Sequence, residues 1–181
     1  MNKAYTLIEV LIALAIGAMI IAAGGFALST YLRTEKKVRE GTADVERTVL
    51  AQLLLRKQLV NYMDKLFGVQ LGFIGTSDYF LFFTSGPAPC FGIPGAWLIK
   101  VELKDGWLVE CVKNVLNKDD LKDWTQRGDY DRCVGLMKVG DKVDFSYYLG
   151  GEWRGEVKRN KPEYLGLRSE GDLIMIIPTG V

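Results

Sequence analysis

Tyr5–Leu32 reads YTLIEVLIALAIGAMIIAAGGFALSTYL, and between Glu9 and Arg33 no residue carries a charge. As a helix at about 1.5 Å per residue that gap spans roughly 34 Å, against about 30 Å of bilayer hydrocarbon. A helix of this length, apolar on every face, belongs in a bilayer or in an unusually large core. The rest of a 181-residue chain is too short to wrap it, so the run predicts a membrane helix over 5–32. A secretory signal peptide would carry an apolar core of about 7–15 residues and then be removed. This run is longer, and Glu9 interrupts its start.

An ionisable residue in a membrane segment is costly and points to a role with a partner; at the headgroup boundary it could instead simply stay wet. Ahead of Glu9 stands a short basic leader, MNKA, followed by Tyr-Thr-Leu-Ile-Glu-Val-Leu-Ile-Ala-Leu. This resembles the class III signal of type IV pilins and type II secretion pseudopilins. In that family a prepilin peptidase cuts after a small residue and methylates the new N-terminus, and the fifth mature residue is Glu. The resemblance implies a leader of residues 1–4, cleavage between Ala4 and Tyr5, an N-methylated Tyr5 and an assembly role for Glu9. The family more often has Gly where Ala4 stands and Phe or Met where Tyr5 stands. On assembly, Glu9 would pair with the N-terminal amine of a neighbouring subunit, the kind of partner that lets a buried carboxylate stay ionised.

Composition narrows the chemistry. The net charge is +1, with no basic surplus to point to nucleic acid. The sequence has no histidine, which removes Ser-His and Cys-His nucleophile pairs, HExxH zinc sites and His-ligated haem. Cys90, Cys111 and Cys133 are scattered with no CxxC, so zinc is not expected. In an oxidising compartment one pair can bridge: Cys111–Cys133 would clip the loop between two strands. Three buried apolar thiols is the competing reading. The cations Arg33, Lys36, Lys37 and Arg39 follow the apolar run and would, by the positive-inside rule, hold the large domain in the cytoplasm. The resemblance implies the reverse: a single-pass protein of the bacterial inner membrane, N-terminus cytoplasmic and C-terminal domain periplasmic.

From Arg33 to Phe67 the helical pattern continues but becomes amphipathic, with Val38, Val45, Val49, Leu53, Val60, Met63 and Phe67 as the apolar stripe. No proline interrupts from Tyr5 to Phe67, so one continuous helix is expected, with a soluble stem over 33–67 and Gly68 and Gly72 marking its end. Residues 68–181 read as an antiparallel β domain. Tyr79–Ser85 is a continuous apolar run. Trp97–Lys104 and Trp107–Val115 flank Asp105-Gly106; Val143–Leu149 and Glu152–Lys158 flank Gly150-Gly151; Tyr164–Arg168 and Leu173–Pro178 flank Ser169–Asp172. Three consecutive hairpins mean an antiparallel sheet, and a long helix packed on it gives an α+β fold. The insertion Asn114–Arg132 holds Asp119, Asp120, Asp123, Asp129 and Asp131. It lacks the ligand spacing of an EF-hand, so a solvated loop is expected, with a calcium clip as the alternative and no other cofactor.

The order of elements carries a finer resemblance. A stem ending LLLRKQLVNYM is followed by an apolar strand and a DG hairpin, then VDFSYYLGGEW and EYLGLRSEGDLIMIIPTG. This resembles the J-type minor pseudopilin family of type II secretion, through Phe145, Tyr147, Tyr148, Trp153, Pro162 and Pro178. Tyr147 and Trp153 on a strand would ordinarily be core residues. The resemblance implies a pilin-like fold and a structural subunit at the pseudopilus tip. Its partners would be I-type and K-type minor pseudopilins, the major pseudopilin, the inner-membrane assembly platform and, before assembly, the lipid bilayer. A minor pilin of a type IV or DNA-uptake pilus is the alternative; the basic residues Arg154, Lys158, Arg159 and Lys161 are too few to support nucleic-acid capture. A membrane-anchored enzyme is a remote third: no P-loop or GxSxG is present, and a Ser-Lys pair is the nucleophile chemistry left to it.

Overall fold

The computed structural model describes residues 7–86, 95–126 and 128–180. In chain order they form α1 (Leu7–Val60), β1 (Lys65–Leu66), β2 (Val69–Gln70), β3 (Phe73–Gly75), β4 (Tyr79–Thr84), β5 (Trp97–Lys104) and β6 (Trp107–Asn114). Two 3-10 turns, Lys118–Leu121 and Trp124–Gln126, precede β7 (Arg132–Lys138), β8 (Val143–Leu149), β9 (Glu152–Arg154), β10 (Val157–Arg159), β11 (Tyr164–Ser169) and β12 (Asp172–Pro178). The class is α+β, with one long helix and antiparallel sheets. The chain divides into two compact units, residues 1–45 and 46–181. The first consists of α1 as far as Val45; the second holds the end of α1 and every strand.

The three hairpins form where turn chemistry places them. Asp105-Gly106, Gly150-Gly151 and Glu170-Gly171 each supply two successive residues at positive φ, the geometry whose twist matches that of paired strands. The first hairpin lies inside a six-stranded sheet of order β10-β3-β4-β5-β6-β7, the other two in a four-stranded sheet of order β12-β11-β8-β9. The expected single strand Glu152–Lys158 is corrected: β9 pairs with β8, whereas β10 pairs with β3 in the other sheet. The reason is local. Gly155 lets the chain bend, and Val157 is the apolar residue of the segment buried in the core.

The inner faces of both sheets share one core. Phe73, Phe80, Phe82 and Ile99 meet Phe145, Tyr147, Leu165 and Met175, and Ala51, Leu55 and Leu59 of α1 join them. A second cluster (Leu71, Leu81, Phe83, Leu98, Val115 and Leu121) covers the opposite face of the six-stranded sheet. Here the expected solvated loop is corrected in part: most of its described residues are exposed, but two turns anchor it to the sheet. Asn117 caps the first 3-10 turn through the backbone amides of Asp119 and Asp120, Leu121 is buried, and Trp124 packs edge-on to Phe83 at 5.0 Å. A strand covered on both faces has no use for alternation, which is why YFLFF runs unbroken by a charged residue before Thr84.

The stem also ends earlier than expected, at Val60 rather than Phe67. The backbone beyond it is claimed by β4: Met63 donates to Phe83 O, Ser85 donates to Asn61 O, and the Thr84 hydroxyl bonds Gln58 O at 2.8 Å. Asn61 Nδ2 donates to Lys57 O at 2.7 Å, closing the last turn.

Candidate assembly and processing site

The expected processing residues Ala4 and Tyr5 lie outside the described residues, and Glu9 stands near the start of α1 with its side chain likewise outside the description. Further along, Leu11, Leu14, Ile16, Met19, Ile21 and Phe26 are all exposed; at about 100° per residue they lie round most of the helix. Ser29 and Thr30 donate their hydroxyls to Phe26 O, and Thr34 donates to Thr30 O, at 2.9–3.0 Å. Hydroxyls satisfied by their own helix can enter an apolar medium without an unmet donor. Among the described residues, no helix is long and apolar enough to cross a membrane. Many side chains between Val10 and Leu32 stand outside that description, so the uncharged run is carried by its sequence.

In the second unit α1 has two apolar faces where the sequence reading assigned one. Ala51, Leu55 and Leu59 are buried against the sheets, while Val49 (47 % exposed), Leu53 (56 %) and Val60 (55 %), members of the expected stripe, remain in solvent. The stripe is therefore corrected for these three, which are not the residues the strands cover; Met63, past the end of the helix, does pack against the second cluster. Val49, Leu53 and Arg56 form one wall of a cleft of about 150 Å³ whose other wall is Ile176 and Pro178 of β12. β12 is an outer strand of its sheet.

The helix is also tied to β6 by a polar pair that the sequence reading missed. Gln58 and Glu110 are both buried, and Gln58 Nε2 donates to Glu110 Oε1 at 2.7 Å. Burial pushes the Glu110 carboxyl up to about 7, against a smaller lowering by Gln58. The signal in the sequence was a lone acid in WLVECVKN, at the position that alternation assigns to the core side, between Leu108 and Val112.

Cys111 and Cys133 are disulfide-bonded; they face each other in register on β6 and β7. Cys90 lies outside the described residues. Among the described residues no group of three or more His, Cys, Asp or Glu is placed to hold a metal ion. Asp129 and Asp131 instead approach Lys113, whose ammonium they hold above its usual range, Asp131 foremost. Tyr147 is core, as expected: it donates to Thr76 O at 2.6 Å, and burial raises its hydroxyl pKa. Trp153 is not. It sits half-buried on the outer face of the four-stranded sheet, edge-on to Tyr148 at 5.4 Å, with the Arg168 guanidinium 5.6 Å from its ring. Tyr148, Trp153, Tyr164 and Ile176 there line a depression of about 240 Å³.

No curated protein and no solved structure matches the chain. Residues 1–25 match the family model of the prokaryotic N-terminal methylation motif. That match covers the stretch holding Ala4, Tyr5 and Glu9, and this prepilin-type signature supports kinship with the type IV pilins and pseudopilins.

Proposed function

We propose that the chain is a minor pseudopilin of a type II secretion system, most like the J-type subunit. In this reading it is a structural component of the pseudopilus tip that helps to initiate assembly. The observation that carries the reading is the prepilin-type methylation motif over residues 1–25. Two further features support it. α1 keeps a second apolar face, Val49, Leu53 and Val60, in solvent after its own sheets are covered, as a subunit with helical neighbours requires. The Cys111–Cys133 disulfide suits a periplasmic domain. In this reading α1 is stored in the inner membrane and then lifted into a polymer, where lipid contacts are exchanged for apolar helix contacts at little cost. Glu9 fixes register, because a misplaced neighbour would leave its charge unpaired. The role is structural, with no catalysis and no cofactor.

The test begins with intact mass and N-terminal sequencing of the membrane-derived protein, which should start at an N-methylated Tyr5. Glu9→Val should insert and be processed but initiate few filaments; a mature chain beginning at Met1, or normal initiation by the variant, overturns the proposal. The second reading, a minor pilin of a type IV or DNA-uptake pilus, shares the N-terminal motif. Co-purification with I-type and K-type minor pseudopilins, and not with pilus subunits, separates the two.

A further inference from the structure

The Gln58–Glu110 pair leaves two polar atoms unaccounted for. Gln58 Oε1 and Glu110 Oε2 are both buried and without a hydrogen-bond partner, although the other halves of the same two groups are joined at 2.7 Å. Two acceptor oxygens cannot satisfy each other. A single added proton changes that: a carboxylic acid is a donor as well as an acceptor and can close a two-bond ring with a primary amide. We propose that Glu110 is carried as the neutral acid, its hydroxyl donating to Gln58 Oε1, and that this ring is a proton-dependent latch between the end of α1 and β6.

The surroundings suit a neutral group. In register, Glu110 lies between Val101 of β5 and Val134 of β7. From α1 it meets Gln58, while Arg56 and Lys57 on the same turn are exposed. On β5 and β6, Lys100, Glu102 and Lys113 occupy the alternate positions and so face the other way. The charged residue sharing its face on β7 is Arg132, one position along at Val112 and exposed. No charged neighbour contributes to the raised pKa of the carboxyl; desolvation is its leading cause. An unpaired carboxylate at this depth would carry the full cost of its burial.

The direction with pH follows. The folded-state value is about 7 against an ordinary 4.5, so between those limits the folded chain holds a proton that the unfolded chain has lost. Stability from this group is complete below about pH 4.5 and falls as pH rises, by up to roughly tenfold in the folding constant per pH unit, until about pH 7. Above that the latch is open.

The experiment uses the full chain in detergent micelles, with infrared detection of protonated carboxyl groups and hydrogen exchange followed from pH 5 to 8. A Glu9→Gln background removes the other acid close to apolar surroundings. A protonated-carboxyl band that titrates away near neutrality, absent from Glu110→Gln, is expected. So is a loss of protection at the end of α1 over the same window, beyond the intrinsic change in exchange rate and missing in Glu110→Gln. If that variant fails to fold, the band of the parent chain decides alone. No such band at pH 5, or equal pH dependence of exchange in both chains, overturns the proposal.

Discussion

Gly75 shows how a single side chain can be fixed by the absence of another. It lies on β3 beneath the ring of Tyr147, and a methyl group there would run into the ring itself. The hydroxyl of the same tyrosine reaches Thr76 O at 2.6 Å, which holds the ring in place. Gly75→Ala should therefore cost about 1–3 kcal/mol by overpacking, and Tyr147→Phe about 1 kcal/mol through the lost hydrogen bond. Denaturant unfolding checks both, and a double variant with Tyr147→Leu should recover part of the Gly75→Ala loss. At this scale the sequence was half legible. Tyr147 read as a core position, but neither its contact with Gly75 nor Gln58 meeting Glu110 is local in the chain, and no periodicity reports such a pairing.

Elements were legible to the degree that local rules govern them. The turn residues at Asp105-Gly106, Gly150-Gly151 and Glu170-Gly171 require positive φ, so the hairpins could be read directly. Which face of α1 meets the sheets could not, because the helix carries apolar residues on two sides and spacing alone does not say which is covered. That division makes a paired prediction. Leu55, fully buried, should cost about 2–5 kcal/mol when changed to Ala. Leu53→Ala, in solvent on the opposite side of the helix, should cost within about 0.5 kcal/mol and instead reduce incorporation into filaments. Thermal melting of the purified chain reads the first effect and filament counts read the second; equal loss of stability in both would remove the case for a free assembly face.

Across the whole molecule the six-stranded and four-stranded sheets were read as one, because β9 and β10 are neighbours in sequence and their separation depends on which distant strand each meets. The insertion at 114–132 was read as surface for a similar reason: its many charges hid Leu121 and Trp124, which close the back of the six-stranded sheet. The run from Glu152 to Arg159, eight residues long, ends up serving both sheets. Under tension, neither layer can peel away without dragging the margin of the other. Stretched between residues 46 and 180, the folded body should yield in one force step; two separate rips would mean that the stitch does not hold.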